Sequence, residues 1–509
     1  MLTTNQWGII LSIVVYLFGM LWIGYSYSKK TKNTGDFYLG GRKLGPFVTA
    51  MSAEASDMSG WLLMGLPGVA LAGSIAEAAW TAIGLAVGTY INWLVVAKRL
   101  RRYTEKCGNS VTLPEFFHNR YQDTTKILRT VAAIIIVIFF VPYTASGFAA
   151  CGKLFAGAFG WDYTWCMIIS AIVIVAYTSM GGFSAASTTD FVQSIIMSFA
   201  LVGVLIFGIV NAGGMDAVIE NAKDIPGYFS LTTTGDTLGA SGEVGSYNGL
   251  TIASTLAWGL GYFGMPHILL RFMAIKDENK LKLSRRVATI WVVISMAVAV
   301  FIGIMGYSLY KNGAVPGVEN DAEKIIVIIS MVISKYGFIF AILAGLVLAG
   351  ILASTMSTAD SQLLAASSSI SEDFAGSVFK KQISQKTKML IARITVIAVS
   401  IIGVILALNP DSNVFNIVSF AWAGFGAAFG PVVLAALFWK RSNAWGAIAS
   451  VVVGAAMVFI WKFAIAPMGG AWAIYELLPA FICACIANVV VSLVTPAPKK
   501  QITDLFKEI

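Results

Sequence analysis

The sequence predicts an all-α integral membrane protein, a single domain of about 13 transmembrane helices. Three observations carry that expectation. Of 509 residues, 57% are hydrophobic and only 12% are charged, with a mean hydropathy of +0.78. A soluble protein of this size needs far more charge to cover its exterior. Apolar runs of roughly 20 residues recur along the chain, and about 20 residues rising 1.5 Å each cross a hydrocarbon core of about 30 Å. Two of these runs, five apart in order, are interrupted by Gly, Ser and Pro.

Taken in order, the candidate spans are 6–26, 47–72, 76–97, 126–152, 162–180, 190–211, 248–273, 287–309, 338–366, 389–408, 414–438, 444–465 and 473–495. The first is of spanning length and has no small-residue cleavage site after it, so it reads as a helix and not as a cleavable signal. The polar stretch 213–247 reads as a loop, and 321–334 as a short helix outside the membrane. An odd number of spans puts the termini on opposite sides. With the N-terminus outside, 29 of the 35 Lys and Arg fall on the inner side, among them Lys29, Lys30, Lys32, Lys276–Arg286 and Lys380–Arg393. The positive-inside rule selects that orientation, and the net charge of +9 is a topology signal instead of a nucleic-acid patch.

Other chemistries are poorly supplied. The five cysteines form no paired framework, and two histidines, His118 and His267, cannot furnish a His-rich metal centre or a triad with a nearby nucleophile. Gly259–Gly264 spells G-x-G-x-x-G, but no strand precedes it and no βαβ unit surrounds it. A membrane enzyme is therefore disfavoured.

The second span contains AMSAEASDMSGWLLMGLPG, residues 50–68, with the acids Glu54 and Asp57 amid Ser, Gly and Pro67. Helix breakers weaken the span, and backbone freed inside a membrane must face protein, water, ion or substrate. The seventh span contains AWGLGYFGMPHILLRF, residues 257–272, and reads as an unwound membrane helix. Paired breaks five helices apart mark transporters built from inverted five-helix repeats. The repeats then cover 47–211 and 248–438, with an extra helix and inner loop in 1–46 and two further helices and an inner tail in 444–509. In the ninth span, Ser354, Ser357, Thr358 and Ser361 fall at i, i+3, i+4 and i+7, on one helix face. Such hydroxyls serve either as packing between helices or as neutral oxygen ligands for a hard cation.

Four segments are the most specific: LGGRKLGPFVTAMSAEASDMSGWLLMGLPG (39–68), YTSMGGFSAASTTDFVQ (177–193), WGLGYFGMPHILLRFMA (258–274) and FAWAGFGAAFGPVVL (420–434). On these the chain resembles the sodium/solute symporter family over essentially its whole length, and most closely the members that carry proline. The resemblance implies a LeuT-type fold and sodium-coupled uptake of L-proline by alternating access, with sodium as the bound ion. It places the sodium site on carbonyls of Ala55, Met58 and Ser354 and on hydroxyls of Ser357 and Thr358. Asp57 matches an acid required for coupling, Asp190 an acid on the ion's inward route, and Arg42 an inner-side arginine important for activity. Substrate contacts fall on Ser59, Gly60, Tyr143, Trp258, Tyr262 and Pro266. Glu54 departs from the family pattern, which carries a small residue there, and is expected to modify coupling without being essential.

In this reading the breaks free backbone groups for ion and substrate. Proline is a zwitterion with a small apolar ring, so N–H groups at a half-helix N-terminus suit its carboxylate. Tyr143, Trp258 and Tyr262 would box its ring. Asp57 stands beside the sodium as an electrostatic and structural group, or it caps a half-helix. Glu54, three residues earlier, lies on the same face. No further intramembrane Arg is expected near the site, which disfavours a doubly charged substrate. Two rivals remain: the same fold carrying another amino acid, a vitamin or a sugar, and a transporter-like membrane sensor, for which no signalling domain follows Val494.

Overall fold

A computed structural model describes residues 3–28, 34–235, 237–238, 244–378 and 384–509. Lys29, Lys30, Lys32, Lys380 and Lys381, part of the basic inner side read from the sequence, lie outside the described residues.

Among the described residues, ten helices are long and apolar enough to cross a membrane. Three further crossings are shorter or interrupted: Pro46–Ala72, Tyr163–Ser179 and Gly249–Ala274. The thirteen predicted spans are thus present, and the protein is a multi-pass, all-helical membrane protein. Spans 1 and 5 turn large apolar side chains such as Phe18, Trp22 and Ile172 outward, as lipid-facing helices do. A small antiparallel hairpin, Thr233–Gly235 with Val244–Ser246, departs from the all-helical expectation inside the 213–247 loop. The short helix expected near 321–334 is Ile325–Ser334.

Spans 5 and 6 form one folded helix, Tyr163–Asn211, creased at Gly182 (φ 63°, ψ −171°). That backbone favours glycine, and a Cβ there would sit 2.8 Å from the Phe37 ring. The Gly181–Phe183 stretch of YTSMGGFSAASTTDFVQ therefore marks the turn between two spans.

The breaks in spans 2 and 7 lie where the sequence placed them but differ in form. In span 2 the first half-helix is Pro46–Asp57, and the chain leaves the helix at Met58 and Ser59. It resumes with a wide π turn, Trp61–Gly65, leading into Leu66–Ala72. Pro67 lies beyond the break, inside the resumed helix just after its π turn, and is not the breaker. Span 7 is not unwound at mid-depth. It tightens into a 3₁₀ helix, Ala257–Phe263, and breaks only at Gly264 and Met265 before Pro266–Ala274. Its glycines serve close packing. A Cβ on Gly259 would lie 2.3 Å from the Gly84 carbonyl oxygen of span 3, and one on Gly264 would lie 2.2 Å from the Phe425 carbonyl oxygen of span 11.

Span 9 packs on the folded helix of spans 5 and 6, on span 1 and on span 4. The first half of span 2 runs between spans 5/6, 8, 7 and 9. This encloses both breaks in protein, the setting in which irregular backbone survives at membrane depth.

Candidate functional site

The break in span 2 is stitched by its own serine. The Met58 N–H still bonds the Glu54 carbonyl at 2.9 Å, but Met58 then turns out of the helix at ψ 69°. Ser59 caps the second piece of the span: its hydroxyl accepts the Trp61 N–H at 3.2 Å and its carbonyl the Leu62 N–H at 3.0 Å. Ser59, not Asp57, is therefore the capping residue. Gly60 lies against spans 4 and 9, where a Cβ would come within 2.9 Å of the Ala150 methyl and 3.4 Å of Thr355 Oγ1.

Span 9 crosses directly beside the break. The Ser357 hydroxyl donates to the Ala55 carbonyl at 2.7 Å and to the Ser354 carbonyl at 3.1 Å, and the Thr358 hydroxyl also donates to the Ser354 carbonyl at 3.1 Å. Ala55, Ser354, Ser357 and Thr358 thus form one buried, hydrogen-bonded cluster, with Met58 three residues beyond Ala55 at the break itself. Its oxygens are carbonyls and hydroxyls, the neutral donor set a hard cation accepts.

Asp57 faces span 7. The Tyr262 hydroxyl donates to Asp57 Oδ2 at 2.7 Å, and the Tyr143 hydroxyl donates to the Asp57 carbonyl at 3.2 Å. Glu54 is equally buried but has other partners: Trp93 Nε1 donates to it at 2.9 Å and the Thr89 hydroxyl at 3.2 Å. The two carboxylates turn toward different spans, Glu54 toward span 3 and Asp57 toward span 7, and share no donor.

The expected three-ring box divides in two. Tyr143 and Tyr262 converge on Asp57. Trp258 instead stacks on Tyr475 (centroids 5.2 Å apart) and meets Phe415 at 5.4 Å and Trp61 at 5.6 Å. The Trp422 indole N–H donates to the Trp258 carbonyl at 2.7 Å. Pro266 opens the second half of span 7, five residues before Arg271. The sequence reading did not reach Trp61, Phe415, Trp422 or Tyr475, because only folding brings spans 2, 7, 11 and 13 together. Trp422 lies in FAWAGFGAAFGPVVL, one of the four most specific segments.

One expectation fails outright. Arg271 is a fully buried intramembrane arginine close to the cluster. Its guanidinium donates to Ser52 Oγ at 3.0 Å, Asp190 Oδ2 at 3.0 Å, Ser361 Oγ at 2.5 Å and the His267 carbonyl at 2.9 Å. Asp190 also accepts from the Ser52 hydroxyl at 2.7 Å. Asp360, equally buried, accepts from the Ser361 hydroxyl at 3.2 Å. A charged residue inside a span is itself a functional signal. Arg271 is legible by that rule, but its place near the end of span 7 groups it with the inner-side charges.

Arg42 lies apart from these groups, in the segment just before span 2. It follows Gly40 and Gly41, and all three have φ near 60°. Its guanidinium donates to the Met273 carbonyl at 2.6 Å, the Ser110 carbonyl at 2.8 Å and Asn109 Oδ1 at 2.9 Å. It joins the segment before span 2 to the end of span 7 and to the loop after span 3.

Comparison with known proteins agrees with this architecture. The chain is 44% identical over 490 residues to the high-affinity proline transporter PutP of Bacillus subtilis, covering 96% of this chain and 98% of that protein. It is 41% identical over 503 residues to the sodium/proline symporter of Escherichia coli, covering 98% and 95%. The solved structure of a sodium-coupled sialic acid symporter, 19% identical, superposes with a TM-score of 0.79 over 97% of this chain and 99% of that one, a likeness of LeuT-type fold. Residues 37–454 match the profile of the Sodium:solute symporter family. The chain belongs to the Sodium:solute symporter family, and it is a transporter, not an enzyme.

Proposed function

We propose that this protein carries L-proline inward with sodium by alternating access, with the N-terminus outside and the basic face inside. The observation that carries this reading is the contact between the Ser357 hydroxyl and the Ala55 carbonyl at the break of span 2, within a buried set of neutral oxygens. Ala55, Met58, Ser354, Ser357 and Thr358 bind the sodium. The ion is a coupled substrate released in each cycle, not a resident cofactor. Sodium holds spans 2 and 9 together and so favours the state that accepts proline; an ion shifts a conformational equilibrium only through such differential affinity.

Ser59, Gly60 and Pro266 line the proline site, with Trp258 forming an apolar wall and Tyr143 and Tyr262 holding Asp57 on another side. Asp57 couples the two substrates from beside the ion without ligating it. Asp190 lies on the ion's inward route, paired with the Arg271 guanidinium at 3.0 Å beside the buried Asp360. Arg42 fastens the inner side. A single charge moving down the membrane potential supplies about 2.3 kcal/mol per 100 mV, or roughly 50-fold accumulation at 1.4 kcal/mol per decade.

Labelled proline uptake into proteoliposomes, with and without an inward sodium gradient, tests this reading. Uptake should require the gradient and should be competed by unlabelled proline. Competition by another amino acid, a vitamin or a sugar in preference to proline would reassign the solute.

A further inference from the structure

Four cations are buried among the described residues: Arg101, Arg120, Lys153 and Arg271. Three of them meet carboxylates, Arg101 with Glu105, Lys153 with Glu323 and Arg271 with Asp190. Arg120 does not: among the described residues no carboxylate oxygen lies within ion-pair distance of it. Its Nε donates to the Ala436 carbonyl at 3.0 Å, but Nη1 and Nη2 have no hydrogen-bond partner. Beside it, the buried Nε of Arg99 and the hydroxyl of Tyr103 are also unpartnered. Four polar groups that can donate hydrogen bonds, two of them guanidinium nitrogens of a fully buried residue, therefore gather at one place without an acceptor. The rings of Tyr103, Tyr121 and Phe506 lie 5.0–5.4 Å from Arg120 Cζ and stabilise its charge, but a ring face does not satisfy in-plane N–H donors, so the free donors call for an anion.

The cluster lies at the basic face, where span 3 emerges. It is covered by the C-terminal helix Lys500–Lys507. Phe506 of that helix lies against both guanidiniums, its ring centre 4.9 Å from Arg99 Cζ and 5.4 Å from Arg120 Cζ. The helix is also held by its buried Ile502, by Leu505 and Ile509 against the core, and by an exposed contact between Lys106 and Glu508 at 3.4 Å. A cation–ring contact is weaker than a charge-assisted hydrogen bond to each free donor.

We infer that Arg99, Tyr103 and Arg120 form a binding site for a phosphate group, with Phe506 as its displaceable cover. The planar guanidiniums match phosphate oxygens. Arg99 is only half-buried and opens the cluster to the surface at the depth where a span leaves the bilayer. A phospholipid headgroup and free phosphate share this chemistry. The site is independent of which solute is carried.

The test uses the purified full-length protein. Two probes are compared, inorganic phosphate in detergent and vesicles of phosphatidylcholine with or without phosphatidylglycerol. In the parent, a phosphate probe should raise the thermal unfolding midpoint by about 2 °C or more. Arg99→Gln should abolish that rise, and Lys440→Gln, a cation on the same face, should retain it. Phe506→Ala should lower the phosphate concentration needed for the half-maximal shift. A response to inorganic phosphate assigns a soluble ligand; a response confined to phosphatidylglycerol assigns a lipid. The inference is overturned if neither probe shifts the parent, or if Arg99→Gln and Lys440→Gln respond alike. Because the readout is stability, failure of proline transport would leave this result standing.

Discussion

Tyr262 on span 7 donates its hydroxyl hydrogen to Asp57 on span 2 at 2.7 Å, linking the two interrupted helices beside their breaks. A hydrogen bond to a charged group is worth about 1.5–3 kcal/mol. Tyr262→Phe keeps the ring, which stands edge-on to Trp422 at 5.1 Å, and removes only the bond. The sodium concentration for half-maximal uptake should rise about tenfold or more. A sodium titration checks this; an unchanged sodium requirement with a raised proline KM would return Tyr262 to the role of a wall.

Thr358→Ala removes one proposed ion ligand and leaves the carbonyls. Half-maximal uptake should need about tenfold more sodium, with maximal uptake largely kept at saturating sodium. A sodium curve that superposes on that of the parent would show the ion site to be elsewhere.

Trp258→Ala opens the aromatic cluster on the side of Tyr475 and Phe415. Proline binding should weaken about tenfold or more, while sodium binding stays within about twofold. Equilibrium binding of both substrates to purified protein separates these. Equal losses would make Trp258 a packing residue, the ordinary consequence of removing a core indole.

Glu54 and Asp57 have separate donors, so they should separate in function. Glu54→Gln preserves acceptors for Trp93 and Thr89 and should retain uptake within about threefold. Asp57→Asn should nearly abolish sodium-driven uptake. If Glu54→Gln is as inactive as Asp57→Asn in the same vesicles, the coupling machinery includes both acids.

Arg271→Gln strands Asp190 without a counter-charge, a change that costs about 3–5 kcal/mol. Adding Asp190→Asn should restore much of that loss, because the pair then has no net charge to bury. Thermal unfolding of the two single variants and the double variant gives the coupling directly. Additive losses would show that the two residues act independently.

Much of this was legible in the sequence because it depends on local properties. Span length follows from runs of apolar residues, and the breaks at 58–59 and 264–265 fall within segments rich in Ser, Gly and Pro. The face formed by Ser354, Ser357 and Thr358 follows from helical spacing, and the resemblance of four segments carried the family. What only the tertiary structure decided is the partner of each polar group. Asp57 bonds a tyrosine 205 positions away, Glu54 is held by span 3, and Arg271 answers Asp190. Span 7 tightens instead of unwinding because Gly259 must pass within contact of Gly84 and Gly264 of Phe425. A buried polar group has to find its hydrogen bond wherever folding brings a donor or acceptor, and a single chain read in order cannot say which distant span will supply it.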